Sequence, residues 1–183
     1  MERFPTLTAE NAPAAARAML NASQASFGFL PEPVARAAHA PALLKHLLAG
    51  FAAFEHTSLA PLEREVVAFA VAREIECHYC LAMHSALLVR TKADEATLAA
   101  LRAGRALADV RLEALRRFAH TLVVARGRVS EAEWSALRAA GFTREQALEV
   151  VLGVGVYLLS TLTNVVTEAE LDGPFEPFRW KKE

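Results

Sequence analysis

The chain has 183 residues, 54% of them hydrophobic, with 20 basic against 21 acidic side chains and a net charge of −1. At this length roughly two-thirds of the unfolded surface can be buried on folding, so a core needs neither a metal nor a disulfide staple. The balanced charge, with no dense Lys/Arg block, lacks the electrostatic grip that nucleic acid or an anionic membrane surface demands, and neither partner is expected.

Met1 to Arg17 is polar and Ala-rich, with no basic stretch leading into an apolar run, so a cytoplasmic protein is expected. Ala, Leu, Arg and Glu dominate the rest, Gly and Pro are sparse, and no Asn-Gly or Asp-Gly pair separates alternating apolar runs. That composition predicts an all-α fold. Pro31 and Pro33 open a segment through Ala38, Pro41 opens one through about Phe54, and Pro61 suits the first turn of a third. Asp94 is placed to cap a short helix ending at Gly104. Leu112, Leu115, Phe118, Ala119 and Leu122 recur at helical spacing and predict a long amphipathic helix that stops near Gly127. Ser130 with Glu133 and Thr143 with Gln146 form two capping-box patterns, and Gly141 sits where a helix ends.

Val150 to Thr167 carries no charge and approaches the length of a spanning helix, although its Val-rich start also resembles a strand. Its Ser, Thr and Asn content and the lack of basic flanks favour a helix buried all round or covered by another subunit. A weak echo aligns Glu65-Val66-Val67 with Glu149-Val150-Val151, 84 residues on, and sets Thr161 and Asn164 where the first copy has cysteines. Taken at face value it implies two related helical halves within one domain spanning 1–183: a core at about 41–103, a second half at about 108–172 and an aromatic tail, 173–183. Phe175, Phe178 and Trp180 equip that tail to dock on the body or on a neighbouring chain.

The chemistry concentrates in one place. Both cysteines fall in Cys77-His78-Tyr79-Cys80, followed four residues later by His84. On a helix Cys77, Cys80 and His84 share one stripe, which lets the sulfurs bridge with little backbone movement. A helix beginning close to Cys77 would favour a thiolate through its free amides and dipole, with His84 one turn beyond to accept or return a proton. Glu65 is the third group, on one condition. An antiparallel hairpin turning at Glu74-Ile75 brings it opposite His84, whereas a single helix over 61–91 leaves it about 18 Å from Cys77 at ~1.5 Å per residue. No Gly or Pro between Leu62 and Ala103 decides between them. The plain alternatives are inert core cysteines, a core histidine bonded to a carbonyl, and a solvated first turn in Glu63-Arg64-Glu65. Zinc is the competing chemistry, with Cys77, Cys80, His84 and either Glu65 or His78 as ligands.

Glu65, the cysteine motif and His84 together resemble the signature of the alkylhydroperoxidase D-like branch of the carboxymuconolactone decarboxylase family. The likeness extends through Pro41-Ala42-Leu43-Leu44 and Ser58 to Glu65, which resembles the lead-in of peroxidase-related members. It implies an all-α homo-oligomer, as a trimer, dimer or hexamer, with the cysteine helix near subunit contacts. Carried over by position, Cys80 resembles the peroxidatic thiol and Cys77 the resolving thiol, giving a Cys77–Cys80 disulfide after reaction with a hydroperoxide. Glu65 and His84 resemble a proton relay, and no cofactor is implied beyond an external dithiol or lipoyl-type reductant. Tyr79 departs from the family pattern, standing where the best-known members place another relay histidine; with a pKa near 10 it can donate a hydrogen bond but is no base near neutrality. Retention of both cysteines points away from lactone decarboxylation.

Overall fold

A computed structural model describes residues 3–182. Among them the chain forms nine α-helices and a closing 3-10 turn, with no strand. Helices α1 (Ala14–Phe27), α2 (Glu32–Ala37) and α3 (Pro41–Glu55) lead to the hairpin α4 (Pro61–Glu74) and α5 (His78–Arg90). Then come α6 (Glu95–Ala103), α7 (Val110–Val124), α8 (Glu131–Ala139) and α9 (Arg144–Thr167), before the 3-10 turn at Gly173–Phe178.

Helix α1 is not among the elements expected from sequence. Its signals are muted: Pro13 rather than a hydroxyl or carboxylate precedes it, although Gly28 closes it in the left-handed region at φ 79°. Ala16 and Leu20 are buried one turn apart and pack with Leu44 and Leu47 of α3 in a small satellite core. The expected caps are in place elsewhere. Asp94 accepts from Thr97 N–H at 2.9 Å, and the backbone amides of Ser130 and Thr143 donate to Glu133 and Gln146.

Helix α4 is the hub, with Val66 to Ala72 buried on every side against α5, α7 and α9. Helix α9 lies close to it because a glycine allows the approach. A Cβ on Gly153 would stand 2.4 Å from the Phe54 ring and 3.0 Å from Val67, so no larger residue fits there without displacement. The 150–167 segment is helical throughout, not a strand. It lies within the one helix among the described residues long and apolar enough to cross a membrane, and half of that helix's apolar window is buried inside the protein. The tail docks on the body. Phe175 and Trp180 are buried, the Phe175 ring meets Tyr79 of α5 edge-on, and the Arg73 guanidinium stands 4.9 Å over the Trp180 ring.

Candidate active site

The site begins with a turn that no glycine or proline makes. Helix α4 ends in a Schellman-type closure in which Cys77 N–H donates to Ala72 C=O at 3.0 Å and Glu76 occupies the left-handed region at φ 55°. This closure makes the hairpin and rules out a single helix over 61–91. It also leaves Cys77 as the N-cap of α5, its Sγ accepting from Cys80 N–H at 3.4 Å.

The sulfurs of Cys77 and Cys80 are 2.9 Å apart, and both cysteines are reduced and only 2% exposed. Asn164, reaching across from α9, points its amide at both, with Nδ2 at 3.3 Å from Cys80 Sγ and 3.8 Å from Cys77 Sγ. The hydrogen bond between the two thiols, opposed by burial and aided by the Cys80 amide, Asn164 and the field of His84, lowers the Cys77 thiol to about 7. The same bond, together with burial, raises Cys80 well above an ordinary thiol. Within the pair, Cys77 is thus the more acidic thiol and Cys80 the less acidic.

Glu65 and His84 meet across the hairpin, His84 Nδ1 lying 2.7 Å from Glu65 Oε2. Since the carboxylate accepts, Nδ1 carries a proton, and in the neutral ring Nε2 then presents a lone pair. Nε2 is buried with no hydrogen-bond partner among the described residues. The imidazole is held edge-on between Phe69 and Tyr157, ring centroids 6.2 and 5.1 Å away. Burial, and then the Glu65 charge, raises the Tyr157 phenol, which stays neutral. The first turn of α4 is not solvated charge. Glu63 is buried and bonded to Arg111 Nε at 2.7 Å, and it also accepts from Ala60 N–H.

Tyr79 and His78, the inner residues of the motif, face elsewhere. The Tyr79 hydroxyl donates to Asp172 Oδ2 at 2.6 Å, and Asp172 also accepts from Glu32 N–H, so this phenol ties α5 to the tail and to α2. His78 Nδ1 lies 3.3 Å from the Trp180 carbonyl. Among the described residues no group of three or more His, Cys, Asp or Glu side chains is arranged to hold a metal ion. A surface cleft of about 480 Å³ opens between His78, Tyr79, the 168–171 segment and the tail residues Glu176 and Arg179.

Asn164, Tyr157 and Asp172 are the residues that sequence reasoning missed. A signal existed for Asn164, which the echo aligned with Cys80. The neighbouring hydroxyls of Thr163 and Thr167 bond back to carbonyls of their own helix, leaving Asn164 as the buried donor of α9 directed at the sulfurs.

Residues 41–121 match the carboxymuconolactone decarboxylase family. The whole fold is similar to the alkylhydroperoxidase AhpD core of an uncharacterized peroxidase-related protein from Ralstonia eutropha JMP134, with TM-score 0.83 and 25% identity over 94% of this chain and 93% of that one. A second peroxidase-related protein, from Silicibacter sp. TM1040, gives 0.79 and 21% over 94% and 92%. The debrominase Bmp8, solved with 2,3,4-tribromopyrrole, shares the fold at 0.78 and 15% over 96% and 95%. No curated protein matches the sequence. With the motif-bearing hairpin inside the segment that matches the carboxymuconolactone decarboxylase family and the full chain superposing on these structures, the protein takes an alkylhydroperoxidase D-like, all-helical fold.

Proposed function

We propose that the protein is a cytoplasmic thiol-dependent peroxidase that reduces hydroperoxides by cycling Cys77 and Cys80 between dithiol and disulfide. One observation carries this reading: two reduced sulfurs 2.9 Å apart lie on the same hairpin as a histidine oriented by Glu65, with its other ring nitrogen free. A thiolate attacks the hydroperoxide oxygen, the O–O bond breaks, and the sulfur becomes a sulfenic acid while an alkoxide departs. His84 Nε2 takes the attacking thiol's proton and returns it to the alkoxide, giving the alcohol. The second sulfur displaces the sulfenic oxygen as water and closes the disulfide. An external dithiol, of lipoyl type or similar, then restores both thiols with two electrons and two protons. The peroxidase-related relatives support the class, while a debrominase on the same fold shows why the fold alone does not fix the reaction.

The family resemblance gives the attack to Cys80. The electrostatics favour a second reading, because Cys77, the N-cap of α5, is the more acidic thiol and Cys80 the less acidic. Dimedone labelling of single variants separates them: a sulfenic acid trapped in Cys77→Ser assigns the attack to Cys80, and one trapped in Cys80→Ser assigns it to Cys77.

The direct test adds a slight excess of hydrogen peroxide or cumene hydroperoxide to reduced protein and counts thiols, then follows turnover with dithiothreitol or dihydrolipoamide. Two thiols lost per chain with sustained turnover is the expected result, abolished in Cys80→Ser. Unchanged thiols sink the proposal. A single stoichiometric oxidation without turnover would make the pair a redox sensor instead.

A further inference from the structure

A cavity of about 140 Å³, many times what a single water needs, lies between α4 and the helices α6 and α7, outside the thiol site. Part of its wall is apolar, formed by Phe69, Ala70 and Leu101, and the rest carries charge. Most of that charge is already matched. Arg116 commits Nε and Nη2 to Glu113, each at 2.7 Å, and His120 Nε2 stands 3.3 Å from the Glu74 carboxylate. Arg73 is the exception: its Nε is screened from solvent without a partner, and its guanidinium makes no hydrogen bond or ion pair among the described residues. Unused donors on a part-buried cation carry a desolvation cost that an anion would offset.

Neither helix end needs this side chain. The last carbonyls of α4 accept from the amides of Ile75, Glu76 and Cys77, and those of α6 from Gly104 and Arg105. The nearby Glu76 carboxylate is bonded to Lys182. Yet the Arg73 guanidinium is held in one place, 4.9 Å over the Trp180 ring and against Gly104, where a Cβ would stand 3.1 Å from Nε. With Nε shielded, Nη1 and Nη2 are its open donors. A planar cation fixed in this way is a preformed partner for a planar carboxylate.

We infer that this cavity binds a short-chain monocarboxylate, with its carboxylate on Arg73 and its alkyl part against Phe69, Ala70 and Leu101. The charges decide for a monoanion. Arg73 is the lining cation without a partner, so one negative charge completes the site, whereas a phosphate dianion would leave charge unmatched beside Glu74. Phe69 also stands edge-on to His84, ring centroids 6.2 Å apart, which sets the occupant one side chain from the imidazole. The inference stands apart from the proposed peroxidase chemistry, since nothing in it depends on the sulfurs.

Sodium acetate and sodium butyrate, titrated into the reduced full chain at constant ionic strength and followed in proton–nitrogen correlation spectra, test it. Saturable shifts of the Ala70, Gly104 and His120 amides are expected, with butyrate binding about tenfold more tightly through its two extra methylenes. Arg73→Gln should weaken both ligands by about tenfold or more, and Arg73→Lys, which keeps the charge but loses the fork, should fall between. Should Arg73→Gln fail to fold, Ala70→Leu gives a second reading, because it fills the cavity from the apolar wall and should abolish binding with Arg73 intact. Shifts that rise without saturating, shifts confined to other parts of the chain, or affinities that both variants leave unchanged overturn the site. Inorganic phosphate saturating the same amides more tightly than butyrate overturns the carboxylate assignment.

Discussion

The α4–α5 hairpin and α9 contain the two aligned segments of the chain and take opposite paths. Residues 65–84 turn back at Ile75 to Cys77, while residues 149–167 continue as one helix through Gly153 and Gly155. The residues expected to break a helix thus sit in the helix that continues and are missing from the one that stops. Burial supplies the reason. After Ala72 the buried run of α4 ends and polar Arg73, Glu74 and Glu76 follow, so the chain can bury Leu81, Ala82 and Leu88 only by folding back. In α9 Gly153 lies where Phe54 presses and Gly155 on the open side, neither at an end. The comparison teaches that a glycine's meaning depends on its surroundings: Gly153 marks close approach inside a helix, whereas Gly28 and Gly104 end helices in the left-handed region. The two segments then converge, since Asn164, the counterpart of Cys80 in the echo, is the residue that donates to its sulfur.

If the hairpin supplies reactive groups and α9 a neutral scaffold, perturbing each should break different properties. The largest effect belongs to the hairpin. Glu65→Gln removes the charge that orients His84 and is expected to lower peroxide turnover by about 10²- to 10⁴-fold, the range of a positioned acid–base group, in a steady-state assay with dithiothreitol. Turnover at the wild-type rate would remove the pair from the mechanism. Next comes Gly153→Ala in α9, which forces a methyl into the Phe54 ring and should destabilise the fold by about 1–3 kcal/mol in urea unfolding. A neutral result there would mean that α9 need not approach α4 so closely.

Asn164→Ala should act through the sulfurs alone. It deletes a donor to the thiolate, so thiolate absorbance at 240 nm should titrate roughly one pH unit above the native midpoint of about 7. An unmoved midpoint would leave Asn164 a packing residue. In the native pair the first proton leaves at about 7, below the ordinary thiol value of 9.0. The folded chain therefore binds fewer protons than the unfolded chain between those values, and the stability of the reduced protein should rise with pH across that window. Above it the raised Cys80 reverses the sign. The smallest effect lies in the turn itself. Glu76→Gly relieves a left-handed backbone at a non-glycine residue and is expected to stabilise by up to about 1 kcal/mol, the exposed ion pair to Lys182 contributing little. Destabilisation would show that the pair, not the turn, matters more.

Much of this was legible in the residues. Proline positions, the two capping boxes and the period of apolar side chains gave most helices, because those signals act within one or two turns of chain. The cysteine motif with His84 marked the site for the same reason, all three lying within eight residues. Helix α1 escaped because its caps are weak and its helicity rests on Ala16 and Leu20 meeting α3. Glu65 stood open until the direction of the chain after Glu74 was known. Asn164, Tyr157 and Asp172 were hidden by distance along the chain, and Tyr79 by its partner, since nothing local says that its hydroxyl binds a carboxylate 93 residues away.

By itself the sequence determined the helical class and the pairing of two thiols with a nearby imidazole, both consequences of short-range spacing and backbone preference. Only the tertiary structure decided which thiol is the more acidic, which carboxylate orients the histidine and which face of α9 is left uncovered. Those depend on side chains brought together from separate helices, and in a closely packed interior the burial and field that a group experiences are set by such neighbours rather than by its place in the chain.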